Sequence, residues 1–321
     1  MAAKSSNKTS KAGAKKSLIL GTRGSPLALW QANHVKSLLE EAHKNLKVSL
    51  KIIKTTGDQV QKKSLAEIGG KGLFLKEIED AILSKKVDAG VHSMKDVPVM
   101  MPPGLMIAAI LKREDPRDVF VSKKYDSLLH LPKKAKIGTS SLRRTAQLKN
   151  FRPDFEIVPV RGNVDSRIRK LGAGGPDAIL LAAAGMIRLG LAERITEYLP
   201  TTLILPAVGQ GAVGIEIREN DMETKRCFDF LHDIETGLCV QSERAFLRTL
   251  EGDCQAPIAA FAELHGQMMK LTGMVASPDG RELIRDRIEG NIRESVTMGE
   301  QLAKDLLSHG GREILRSCKQ K

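Results

Sequence analysis

The chain has 321 residues, 41% of them hydrophobic and only 3% aromatic, with a formal charge of +13. That length exceeds what one core usually organises, so two or three domains are expected, with Leu, Ile, Val, Ala and Met as core filler. Scarce aromatic rings argue against a stacking platform for single-stranded nucleic acid, and no apolar run is long enough to span a bilayer.

Five lysines (Lys4, Lys8, Lys11, Lys15, Lys16) lie in the first 16 residues, a polar stretch without apolar periodicity. It reads as a disordered basic tail over 1–16, with no apolar segment for secretion, so a cytoplasmic protein is expected. The four cysteines, Cys227, Cys239, Cys254 and Cys318, show neither CxxC pairs nor His at metal-ligand spacing. They read as reduced thiols, with no metal site expected. Cys254 stands apart in a turn-like stretch, EGDCQAP, just beyond a helix.

From Ser17 onward, short apolar runs alternate with amphipathic stretches: SLILG, PLALWQANHVKSLLEEAH, KVSLKIIKT. This is the rhythm of βα units. It recurs in AKIGTSS with LRRTAQLKNF, in FEIVPVRGN with VDSRIRKLGAG, and in DAILLAAAGMIRLG, so two similar α/β domains follow. LILPAVGQGAVGIEIREN is strand-rich and taken alone fits a hairpin of the second domain. From about Thr236 a helix, a small sheet and a C-terminal helix make a third unit.

Helix N-termini carry partial positive charge, so an Arg there is unfavourable unless an anion is also present. Arg23 precedes a Ser25-Pro26 start, Arg143 and Arg144 follow Thr139, Ser140 and Ser141, and Arg161 and Arg167 flank a start capped by Asn163 or Asp165. Strand ends feeding helix N-termini gather on one side of an α/β sheet, which makes a cleft suited to carboxylates. Each arginine taken singly could instead pair with an acidic neighbour. In HSMKDVP, Ser93, Lys95 and Asp96 precede a Pro-rich turn, and a carboxylate beside an ammonium can stabilise a cation or steer protons. The stretch from Gln59 to Gly70, ending in clustered glycines, reads as a lid or a plain surface loop, with Lys71 at its base and Phe74 beside it.

Seven segments in order, GTRGSPLAL, GGKGLF, HSMKDVP, GTSSLRR, RGNVDSR, AVGQGAVGIE and LEGDCQAPI, resemble the hydroxymethylbilane synthase (porphobilinogen deaminase) family from Ser17 to beyond Leu264. The resemblance implies an α/β fold of three domains, the first two of the two-lobed periplasmic-binding-protein type and the third a small α+β domain. It divides the chain at 17–111 plus 212–230, 112–211 and 231–321, with the chain crossing back to complete the first domain. It implies a dipyrromethane cofactor bound covalently through Cys254. The activity implied is head-to-tail condensation of four porphobilinogen molecules with loss of ammonia, then hydrolytic release of hydroxymethylbilane for porphyrin and heme biosynthesis.

On the same resemblance Asp96 is the central catalytic residue. Lys95, Ser93, Thr139, Ser141, Arg143, Arg144 and Arg167 fall to the cofactor, and Arg23, Ser25, Arg161, Lys71, Phe74 and Gln210 to the substrate. The partners are porphobilinogen and the growing polypyrrole chain, without nucleic acid or membrane, and a monomer is expected. Asp253, where the family often has glycine, and Asp165-Ser166 depart from its pattern. Two other readings share parts of these observations: a solute-binding or effector-sensing module would have the same two-lobed fold, and a nucleic-acid binder would share the charge.

Overall fold

The computed structural model describes residues 15–56, 75–172, 174–250 and 256–319. Three sheets organise them. The first unit opens with β1 (Ser17–Thr22), α1 (Pro26–Ala42), β2 (Lys47–Ile52), α2 (Lys76–Leu83), β3 (Ala89–Ser93), a 3-10 turn (Met94–Asp96) and β4 (Leu105–Ile110). β1 runs parallel to β2 and β3, and the order across the sheet is β2-β1-β3-β10-β4. The fourth strand in that order is β10 (Val213–Arg218), antiparallel to both β3 and β4. The segment that taken alone fitted a second-domain hairpin therefore completes the first sheet. On α1, Ala32, Val35 and Leu39 fall on one face at helical spacing and pack on Leu18, Leu20, Val91 and Ile215. Each such burial is worth about 1.5–3 kcal/mol.

The second unit is contiguous: β5 (Asp118–Ser122), β6 (Lys136–Gly138), α3 (Leu142–Phe151), β7 (Glu156–Val158), α4 (Val164–Arg169), β8 (Ala178–Ala182), α5 (Ala183–Arg188) and β9 (Glu197–Tyr198). Its order, β7-β6-β8-β5-β9, repeats the first sheet's plan, with parallel strands on one side and an antiparallel strand, β5, in fourth place. Gly138 stands at the end of β6, where a Cβ would come within 2.6 Å of Val160 and 2.8 Å of Ile179.

α6 (Met222–Phe228) leads to α7 (Ile234–Thr249), then a three-stranded antiparallel sheet of β11 (Ile258–His265), β12 (Met268–Ala276) and β13 (Leu283–Asn291). α8 (Ser295–Leu306) and α9 (Arg312–Lys319) follow. α7 and α8 pack closely because Gly299 has no side chain: a Cβ there would lie 2.3 Å from the Ser242 carbonyl oxygen. Phe246, Leu271 and Leu302 fill the core between helices and sheet.

The expected tail over 1–16 needs correction at its end. Lys15 donates to an Asp88 carboxylate oxygen and to the Thr224 hydroxyl, both at 2.7 Å, fastening the chain before β1 begins. Gln59–Gly70, Lys71, Phe74, Asp253 and Cys254 lie outside the described residues. No helix among the described residues is long and apolar enough to cross a membrane.

Candidate active site

The candidate residues sit where strands end and helices begin. After β1, Ser25 caps α1, its Oγ accepting from the Ala28 amide, with Pro26 in the first helical position. Arg23, half-buried, precedes this cap. After β3, Ser93 Oγ accepts from Gln31 Nε2 of α1 at 2.9 Å. The next turn buries Met94 and leaves Lys95 and Asp96 exposed. It is held by the Met94 amide donating to the Ala212 carbonyl at the approach to β10.

After β6, Thr139 Oγ1 accepts from the Ser141 amide, and Ser141 caps α3 by accepting from the Arg144 amide. The first turn of α3 then carries Arg143 and Arg144, both buried, onto Asp118 at the start of β5. Asp118 is fully buried. Arg143 Nη1 donates to Asp118 Oδ2 and to the Leu205 carbonyl, both at 2.6 Å. Arg144 Nη2 donates to Asp118 Oδ1 at 2.6 Å, and its Nη1 reaches the Leu180 carbonyl at 2.8 Å. Burial alone would push the Asp118 carboxyl up, but the two guanidinium groups outweigh it and hold it well below the usual carboxylate range.

This arrangement changes the reading of three residues. For Arg143 and Arg144 the chain itself supplies a carboxylate, so their first task is to hold Asp118. Gln210 is 1% exposed, with its amide nitrogen on Asp118 Oδ1 (2.9 Å) and the Pro116 carbonyl (2.7 Å). Through that amide nitrogen Gln210 supports Asp118. Asp118 itself escaped sequence reading, since its partners are 25 and 26 residues away and no spacing rule links them.

Arg161 and Arg167 flank the start of α4, whose N-cap is Asn163 without a side-chain cap bond. Arg167 Nε donates to the Gly162 carbonyl at 2.7 Å. Loss of solvent, with the charges of Arg144 and Arg161, brings the Arg167 pKa down to about 10, while Asp96 acts in the opposite sense. Lys95 touches solvent yet lies deep between protein walls. That desolvation lowers its pKa against the pull of Asp96, helped by Arg144 and Arg143. Asp96 of the first lobe thus acts on the charge of Arg167 in the second. Lys95 feels the charges of Asp96, Asp118, Arg143 and Arg144, and Arg167 those of Asp96, Arg144 and Arg161, so cations outnumber carboxylates in this linked group. A donor set of that charge fits a polyanionic ligand.

One further contact joins the lobes. Arg188 of α5 lies over the Trp30 ring of α1 at 5.7 Å and donates to the Gly211 carbonyl at 2.7 Å.

Residues 18–226 match the family model described as porphobilinogen deaminase, dipyromethane cofactor binding domain, and residues 237–308 match porphobilinogen deaminase, C-terminal domain. The chain belongs to the porphobilinogen deaminase family. Porphobilinogen deaminase of Geotalea uraniireducens is 52% identical over 306 residues, 95% of this chain and 96% of the relative. That of Syntrophomonas wolfei is 51% identical over 94% of this chain and 98% of the relative. Among solved structures, a putative methionine-binding lipoprotein of Bacillus subtilis aligns at a TM-score of 0.41 and 18% identity, over 69% of this chain and 92% of that one. That likeness is too loose to bear on function. Family membership makes the chain a transferase of tetrapyrrole biosynthesis, with the activity of a hydroxymethylbilane synthase and the dipyrromethane cofactor of its family.

Proposed function

We propose that the chain carries out this condensation with Asp96 as catalyst, Cys254 as the covalent anchor of the dipyrromethane, and the second-lobe arginines as the carboxylate-holding wall. The observation that supports this reading is that Asp96, in the turn after β3, and Arg167, in the first turns of α4, act on each other's charge, with Arg144 and Arg161 acting on Arg167 as well. When bound, the dipyrromethane supplies the pyrrole α-carbon to which new units are joined.

Each porphobilinogen carries an acetate and a propionate, and burying them unpaired would be prohibitive. Arg23, Arg161, Arg167 and Lys95 supply cations, and Ser25, Ser93, Thr139 and Ser141 supply hydroxyls. Arg143 and Arg144 act from the Asp118 clamp, lending positive potential to the wall. The Asp96 carboxylate, exposed between the lobes, accepts pyrrole N–H bonds and stabilises the positive charge that develops as ammonia leaves the substrate. It then takes up the proton released as the new carbon–carbon bond forms. Lys71 and Phe74 complete the substrate contacts on this reading. A monomeric cytoplasmic enzyme is proposed, divided at 17–111 plus 212–230, 112–211 and 231–321.

The test is the intact mass of active, purified protein. It is expected to exceed the sequence mass by one dipyrromethane, mapped to Cys254 rather than Cys227, Cys239 or Cys318, and to resist excess thiol. Full activity at the bare sequence mass would overturn the covalent anchor.

A further inference from the structure

The turn that presents Asp96 is followed by Val97, Pro98 and Val99, a stretch with no place in the sheet. Pro98 has no amide hydrogen, and the carbonyls of such a stretch need partners from elsewhere. All three carbonyls are taken by one side chain of the third unit. Arg244 of α7 donates from Nη1 to the Val97 oxygen (3.1 Å) and from Nη2 to those of Pro98 (2.6 Å) and Val99 (3.2 Å).

One helical turn earlier on the same face of α7, Val240 is fully buried in a small core with Met94 and Val97, the residues on either side of Lys95 and Asp96. The next residue back, Glu243, is fixed by Arg113, by the Gly209 amide and by the Ala262 amide. α7 is therefore anchored independently of the turn it grips. Among the described residues Arg244 makes these bonds without a carboxylate partner, and burial, with Arg248 nearby, lowers its pKa to about 10. A half-buried guanidinium spent on three carbonyls gains less than one in an ion pair, so its value here is geometric.

We propose that Arg244 is a positioning residue for Asp96, gathering the three carbonyls that follow the turn so that the carboxylate keeps its place opposite Arg167. The proposal rests on the catalytic role assigned to Asp96 above.

The test uses full-length, cofactor-loaded protein with Arg244→Ala and Arg244→Lys, and Asp96→Asn in parallel. Arg244→Ala is expected to lower kcat by about 10- to 100-fold, the scale of a small misplacement at a reacting centre. KM should stay within about twofold, since the carboxylate wall is untouched. Millimolar guanidinium should restore part of kcat in Arg244→Ala and do nothing for the wild type. Arg244→Lys, which keeps the charge but loses the fork, should fall between. Turnover of Arg244→Ala close to wild type, or a loss that follows thermal stability and ignores guanidinium, would overturn the positioning role. If Asp96→Asn also retains turnover, the fault lies in the catalytic assignment. If only Asp96→Asn is inactive, the fault lies in the Arg244 proposal alone.

Discussion

After β3 the first sheet presents Asp96 to solvent, whereas at β5 the second sheet seals Asp118 beneath Arg143, Arg144 and Gln210. The two sheets share a plan, yet one leaves its aspartate open to solvent, where the role proposed for it needs it, and the other encloses its aspartate in structure. The difference is one of surroundings. Asp118 is enclosed by donors from Arg143, Arg144 and Gln210, so its charge holds α3 against β5 and the 205–210 crossover. Asp96 has main-chain support on both sides and an open carboxylate between.

The sharpest way to break this comparison is to neutralise each aspartate. Asp118→Asn removes the anion under two buried guanidinium groups and should destabilise the protein by about 3–5 kcal/mol, read from the denaturant midpoint. A shift well under 1 kcal/mol would mean that the clamp is solvated. Asp96→Asn should leave that midpoint unchanged and reduce kcat by about 10²- to 10³-fold or more, as expected when a group that stabilises developing charge is lost. Near-normal turnover would remove Asp96 from the mechanism.

A third carboxylate extends the comparison to the buried face of the first sheet. Glu79 of α2 lies near Glu216 of β10, whose Oε2 is hydrogen-bonded to His92 Nε2 at 2.9 Å. Burial, then the Glu216 charge, raises the Glu79 pKa to about 7, with His92 opposing. A carboxyl raised in the folded state contributes stability that is whole below its unfolded value near 4.5 and is lost as pH rises towards 7. Glu79→Gln, which mimics the neutral acid at every pH, should therefore gain about 1–2 kcal/mol over the wild type between pH 4.5 and 8, after allowance for solvent near the group. Parallel pH profiles for the two proteins would show that Glu79 is ionised throughout. The smallest effect is expected at the contact that spans the lobes: Trp30→Leu loses the cation–π contact with Arg188 and should cost about 0.5–1 kcal/mol in thermal unfolding. No change would mean that the Arg188 bond to Gly211 suffices alone.

Local features were legible in the sequence because their causes are local. Ser25-Pro26 and Ser141 announce helix starts, and the structure puts the caps there. The alternation of strands and helices announced two similar sheets. The expected gathering of arginines at strand ends follows from the same topology. What could not be read are pairings made only by tertiary packing. Asp118 looks like any strand-start aspartate, Gln210 like any loop glutamine, and Arg244 like one more charge on an amphipathic helix. The conflict between arginine and helix dipole correctly demanded an anion, but for Arg143 and Arg144 part of that anion is Asp118.

The place of β10 has a consequence for the order in which the molecule can be made. β3 and β4 pair only through it, so before residues 213–218 leave the ribosome the first sheet is a three-strand fragment and a separate fourth strand. Residues 118–198 meanwhile contain every strand of the second sheet and can close while synthesis continues. The later-encoded half of the cleft is thus assembled first, and the first lobe, dominated by contacts distant in sequence, closes afterwards. Since the Met94 amide waits for the Ala212 carbonyl, a nascent chain shorter than that lacks the bond that holds the turn presenting Asp96.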